Sequence, residues 1–153
     1  MGHNGAVAND FLPGCKVCER MAAEAKRGNP YLIAEFEHSF FVVGDHQYCP
    51  GYSLTLLKRH ARELHELSEP ELDAVFAEMM KGYRAVEKTF KPWKMNVLSL
   101  GNGDEHVHWH IFPRYESDPN HRRDPFFNSP QFKDHLITLD QAREIAAKIR
   151  ANL

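Results

Sequence analysis

A chain of 153 residues, 42% hydrophobic and 26% charged, has the size and balance of one ordinary globular domain. Its formal net charge of −2 supplies no basic field for a nucleic-acid backbone, so no DNA or RNA partner is expected. No apolar run reaches the length of a membrane span, and the start of the chain lacks the charged and apolar pattern of a signal peptide. Three cysteines make an odd count, which argues against a disulfide framework and for a reducing cytoplasm.

Residues 1–13 are polar and glycine-rich and read as a flexible N-terminal arm; residues 14–153 read as a single domain without repeat or linker. Alanines and charged residues over 15–28 predict a short helix, stopped by Gly28 and Pro30. Residues 31–36 and 40–43 are strand-like around the polar break Glu37-His38-Ser39, and 52–58 form a third strand. Ser68 and Glu71 make a capping box ahead of Leu72, Val75, Phe76, Met79, Tyr83, Val86 and Phe90, whose helical spacing predicts one buried stripe ended by Pro92. Residues 95–100 and 107–112 read as two further strands around the turn Gly101-Asn102-Gly103-Asp104. Thr138 and Gln141 cap a last helix carrying Ala142, Ile145, Ile149 and Leu153 on one face. Five strands with mostly tight connections predict an α+β fold: an antiparallel sheet, one long helix and flanking N- and C-terminal helices.

The chemistry centres on His106, His108 and His110. Strand side chains alternate, so these three share a face while Val107, Trp109 and Ile111 point into the core. A merely solvated face would not favour histidine over serine, threonine or lysine. Two readings of the residues stay open. One is a three-histidine metal site that activates water for hydrolysis. The other is covalent catalysis, in which a neutral imidazole attacks phosphorus while a neighbouring imidazolium protonates the leaving group. The turn before the strand can supply phosphate donors through its backbone N–H groups, including that of Gly103, and through the Asn102 amide.

The run His106-Val107-His108-Trp109-His110-Ile111-Phe112 resembles the His-φ-His-φ-His-φ-φ signature of the histidine triad (HIT) family of nucleotide hydrolases and transferases. Gly51-Tyr52-Ser53-Leu54-Thr55-Leu56-Leu57-Lys58-Arg59-His60 is similar to the family strand that ends in Lys-x-His. Residues 98–102 resemble the Leu-Gly-Asn turn of its bacterial branch labelled diadenosine tetraphosphate hydrolase-like. The resemblance covers roughly residues 15–118 and implies a HIT-like fold that pairs into a homodimer. It implies a nucleotide substrate attacked at its α-phosphorus by His108, giving a nucleotidyl-histidine intermediate. His110 would contact the phosphate or leaving group, and Asn102 and Asn96 would hold phosphate oxygens. Asp45 is the candidate acid for the ribose. Tyr52 stands where many relatives carry a fourth histidine, which leaves room for a nucleotide-binding protein with little turnover. Asp104 and Glu105 replace the uncharged residues common before the triad and are expected to point away from substrate or to contact a cation.

Cys15-Lys16-Val17-Cys18 is a C-x-x-C compatible by itself with zinc or redox chemistry, and the loop-like sequence before it disfavours redox. Triad-family proteins with such a pair imply a structural zinc ion, one per chain, held by Cys15, Cys18, His60 and His106. Cys49 has no partner at useful spacing. His3, His38, His46, His65, His121 and His135 receive no role, and residues 117–130 are read as a loop that folds over the site or meets a partner.

Overall fold

The computed structural model describes residues 11–153; the first ten residues of the expected arm lie outside them. A five-stranded sheet, antiparallel throughout, forms the centre: β1 (Leu32–Glu35), β2 (Ser39–Val43), β3 (Ser53–Leu57), β4 (Lys94–Leu98) and β5 (His108–Arg114), in the order β1-β2-β3-β5-β4. Three helices accompany it: α1 (Lys16–Arg27), α2 (Glu69–Phe90) and α3 (Leu139–Arg150), with 3-10 turns over Pro125–His135. No helix among the described residues is long and apolar enough to cross a membrane.

Alternation along β5 sorts the two faces. Val107, Trp109 and Ile111 enter the main core, where Val75, Met79 and Val86 of α2 and Ala146 and Ile149 of α3 meet Phe41 and Leu57 of the sheet. His108, His110 and Phe112 lie on the opposite face, over which α1 and the 3-10 segment pack. The register sets Leu56 beside His108 and Leu54 beside His110, so the histidines stand on the central strand pair.

The long helix departs from its expected form in two ways. Phe76 is 52% exposed rather than in the stripe, because the sheet meets only the faces carrying Val75, Met79 and Val86. Ser68 accepts the Glu71 N–H at 3.4 Å, yet the Glu71 carboxylate does not return the bond; Arg59 takes both its oxygens at 2.6 and 2.8 Å. A bidentate ionic pair outweighs a neutral capping contact, and it ties the segment after β3 to α2. In the last helix the Thr138–Gln141 box forms in both directions, while Leu153 falls beyond the helix and is half exposed.

Buried Glu78 of α2 accepts from the His38 N–H at 3.0 Å and from the Ser39 hydroxyl at 2.6 Å, which satisfies the polar break between β1 and β2. Gly82 lets α2 approach the sheet: a β-carbon there would stand 2.9 Å from the Phe41 ring.

Candidate active site

The triad histidines share a face but do not converge. His106 lies at the end of the face under the start of α1, where Cys15 is the N-cap and Cys18 sits in the first turn. Its Nδ1 is 3.5 Å from Cys15 Sγ and 3.6 Å from Cys18 Sγ, and His60 Nδ1 is 3.7 Å from Cys18 Sγ. All four potential ligand atoms lie within 4.8 Å of one another. Tetrahedral zinc with arms of roughly 2.0–2.3 Å requires ligand separations of about 3.3–3.8 Å, so this group can hold such an ion. The His106 Nε2–H donates to the Leu57 carbonyl at 2.7 Å, which leaves the Nδ1 lone pair facing the thiols. Burial lowers the His106 pKa and raises that of the Cys18 thiol.

His108 faces the other way along the strand. Its Nδ1 lies 2.5 Å from the His106 carbonyl, an oxygen that can only accept, so Nδ1 carries the proton and Nε2 the free lone pair. His110 Nε2 is 3.0 Å from His108 Nε2, and therefore His110 donates there. His110 Nδ1 must then accept, and the Tyr52 hydroxyl donates to it at 2.8 Å. Every proton in the chain Tyr52–His110–His108–His106 carbonyl is placed by the one fixed main-chain acceptor.

The surroundings keep His110 neutral. It is enclosed by Tyr52, Phe112 and the edge of Phe126, whose ring centre is 5.2 Å away. Burial, with lesser contributions from His108 and His46, pushes its pKa down to about 3. Burial also raises the Tyr52 pKa, so the phenol keeps its proton. Gly44 makes room for that ring: a β-carbon there would come within 2.1 Å of it.

His108 and His110 open onto a cavity of about 330 Å³, walled by Lys16 and Arg20 of α1, by Val42 and Leu56 of the sheet, and by Asp45. Such a volume lies within the range of small-ligand pockets. Asp45 stands in the cleft with its carboxylate held by Arg20. Asp104 also lines this cleft, whereas Glu105 turns to Arg62 at 3.0 Å. Asn102 and Gly103 instead line a hollow beside the cysteine–histidine group. Asn96 faces a groove with Trp93, and its amide oxygen accepts from Arg114 at 3.2 Å. Thus His108, His110, Tyr52 and Asp45 are brought together, and Asn102, Gly103 and Asn96 are set apart from them.

The HIT domain family model matches residues 28–117, more than half of the chain. The chain belongs to the HIT domain family. Among curated relatives, Protein hit of Bacillus subtilis is 28% identical over 107 residues, covering 66% of this chain and 71% of the relative. AP-4-A phosphorylase of Mycobacterium tuberculosis is 28% identical over 95 residues, covering 58% of this chain and 49% of the relative, so the match spans about half of that protein. A histidine triad (HIT) protein of Sinorhizobium meliloti has the same fold, with a TM-score of 0.72 at 21% identity over 86% of this chain and 94% of that one.

Two residues of this HIT cleft escape sequence reasoning. His46 is stacked between Tyr52 and Phe132, with ring centres at 4.6 and 3.9 Å, and burial lowers its pKa to about 4. No sequence signal singles it out among the ten histidines. Arg20 had a signal: Lys16, Arg20 and Glu24 at spacing four share one face of α1. Arg114 is fully buried, donates to the Arg123 carbonyl at 2.8 Å, and so anchors the loop after β5.

His46 and His110 both have folded pKa values below the ordinary 6.5. As the pH falls the unfolded chain protonates first, so their contribution is intact above pH 6.5 and is lost as the pH drops toward 4 and then 3. The melting temperature should fall by roughly 5–10 °C between pH 7 and 4.5. His46→Phe, which keeps the stack and removes the titrating ring, should fall less steeply; equal slopes in both proteins would contradict the assignment.

Proposed function

We propose that this HIT protein is a nucleotide hydrolase or transferase that acts on the α-phosphate of dinucleoside polyphosphates or nucleotide conjugates through a nucleotidyl-histidine intermediate. The observation that carries the reading is the tautomer of His108: Nδ1–H is committed to the His106 carbonyl, and the Nε2 lone pair opens on the cleft. Attack by Nε2 forms an N–P bond, and the bond from phosphorus to the leaving oxygen breaks with its electron pair. The positive charge that develops on His108 is stabilised through Nδ1–H against the carbonyl. Water, or another acceptor, then resolves the intermediate and regenerates the free imidazole.

His110 is released from His108 when substrate enters, and its Nε2–H turns to the phosphate or leaving oxygen. With the Tyr52 hydroxyl on its Nδ1, His110 offers Nε2–H as a hydrogen-bond donor, in place of the imidazolium in one reading of the sequence. Phosphate leaving groups depart as stable anions and need no full proton transfer, whereas an amine leaving group does. The neutral His110–Tyr52 pair therefore favours dinucleoside polyphosphates over nucleotide phosphoramidates. The name of the mycobacterial relative, AP-4-A phosphorylase, fits the same substrate class.

Asp45 serves the ribose end and Tyr52 orients His110. Asn102, Gly103 and Asn96 reach substrate only through the part that extends beyond the cleft, toward the hollows they line. Cys15, Cys18, His60 and His106 would hold one structural zinc ion, which supplies a cross-link from α1 to the strands and no group to the reaction. The separation of His106 from the facing pair His108–His110 weighs against hydrolysis by a metal shared among all three. We further assign a homodimer in the cytoplasm, with residues 14–153 as one domain; three unpaired thiols suit a reducing compartment.

Diadenosine tetraphosphate should be turned over faster than adenosine phosphoramidate. His108→Asn should lower its kcat at least ~10³-fold, and Tyr52→Phe roughly tenfold with little change in KM. Wild-type activity in His108→Asn would exclude the nucleophile role, and tight binding without turnover in the unmodified protein would favour a binding module. Metal analysis should find one zinc per chain, lost in Cys15→Ala; zinc retained by that variant would remove the site assignment.

A further inference from the structure

On the histidine face of the sheet, β4 runs beside β5 with Leu98 opposite His110, Asn96 opposite Phe112 and Lys94 opposite Arg114. Residues directly opposite in an antiparallel pair point the same way, so Leu98, Asn96 and Lys94 continue the face that carries His110. Between them and the loop after β5 lies a groove of about 410 Å³, with Trp93 at the Lys94 end and Arg122 and Arg123 on the loop side. It begins one strand away from His110, roughly 5 Å, and follows β4 for about 13 Å.

Buried Arg114 ties the two walls together. It donates to the Asn96 amide oxygen of β4 at 3.2 Å and to the Arg123 carbonyl of the loop at 2.8 Å. Asn128 fixes the same loop by donating to the Pro119 carbonyl at 2.9 Å. Residues 121–125 fall after the part of the chain that matches the HIT domain model, so the family match by itself assigns them nothing.

Charge distinguishes this groove from the cleft. The cleft is lined by Lys16 and Arg20 against Glu24, Asp45 and Asp104, whereas the groove sets Lys94, Arg122 and Arg123 against Asp124. Among the described residues none of those three groove cations has an ion-pair partner. The Arg122 guanidinium carbon lies 5.8 Å from the centre of the Trp93 ring, and that ring is 45% exposed. The Asn96 NH2 contacts the Met95 carbonyl at 3.4 Å, which leaves one N–H for the groove it lines. A half-open indole beside unpaired cations suits a nucleobase and its phosphates.

We infer that this groove is the subsite for the departing half of the substrate, with Lys94, Arg122 and Arg123 on its phosphates and Trp93 stacked on its base. This deepens the nucleotide reading above and rests on it. When His108 takes the adenylyl group from diadenosine tetraphosphate, its N–P bond forms and the bond from the α-phosphorus to the bridging oxygen breaks. ATP departs with that oxygen and the electron pair, and its phosphates meet the cationic groove beside His110 rather than the carboxylates of the cleft. The groove therefore selects leaving groups that carry several phosphates and a base.

The test compares kcat/KM of the whole protein for diadenosine tetraphosphate, adenosine tetraphosphate and adenosine phosphoramidate, which share the adenylyl half and differ in leaving group. Trp93→Ala should cut the preference for diadenosine tetraphosphate over adenosine tetraphosphate by about tenfold, the worth of one stacked base. Trp93→Phe keeps a stacking face and should retain most of that preference. Lys94→Gln combined with Arg122→Gln should cut the preference for both polyphosphates over the phosphoramidate by about tenfold and make it less sensitive to salt. These exposed side chains carry the comparison if Trp93→Ala fails to fold. Either preference remaining at its wild-type value, or equal losses on all three substrates, would overturn the inference. If the protein binds without turnover, the same ratios are read by titration calorimetry as dissociation constants, with AMP in place of the phosphoramidate. If wild type neither turns over nor binds any of these nucleotides, the nucleotide reading fails and this inference goes with it; if it does and only the groove variants have no effect, the nucleotide reading stands.

Discussion

A backbone carbonyl cannot give up its role as acceptor, and two such carbonyls decide what the triad histidines can do. The Leu57 oxygen takes the Nε2 proton of His106, and the His106 oxygen takes the Nδ1 proton of His108. Neighbouring histidines are thereby left with opposite nitrogens free, one toward two thiols and one toward the cleft. Histidine tautomers are close in energy, so a single strong acceptor is enough to choose between them. Pairing with β3 puts the Leu57 carbonyl beside His106, and the local backbone puts the His106 carbonyl beside the His108 ring, so the cleft chemistry inherits its precision from the sheet.

The helix α1 then turns this sheet surface into a site. Its first turn brings Cys15 and Cys18 over His106 and Lys16 to the cleft, and the next turn lays Arg20 beside it. On the other side, Phe126 and Phe132 of the 3-10 segment close against His110 and His46. Burial between these walls keeps His110 and His46 neutral, and Tyr52 completes the proton chain where a second basic ring would have competed for the same proton.

Much of this was legible in the sequence where the signal is local. Alternation put His106, His108 and His110 on one face and Val107, Trp109 and Ile111 in the core; helical spacing located α2 and α3, and composition with its Gly28 and Pro30 stop located α1. The cysteine–histidine group followed from family resemblance, since its members are 91 residues apart and spacing cannot join them. What local patterns missed was decided by competition between distant partners. Arg59 captured the Glu71 carboxylate from its capping role, and the sheet selected one edge of the α2 stripe, leaving Phe76 outside. Arg114 became a loop anchor because main-chain carbonyls of the following loop lay within its reach. His46 and Arg20 gained their roles only when Tyr52, Phe132 and Asp45 were brought beside them.

The proposed chemistry depends most on His108 as the attacking group. Mixing the protein with diadenosine tetraphosphate, quenching within one turnover in denaturant above neutral pH, and locating any adduct by peptide mass spectrometry tests this directly. An adenylyl group is expected on the peptide containing His108, appearing before product in the steady state and absent from His108→Asn. Full turnover with no covalent adduct at any time, or an adduct on another residue, would contradict it.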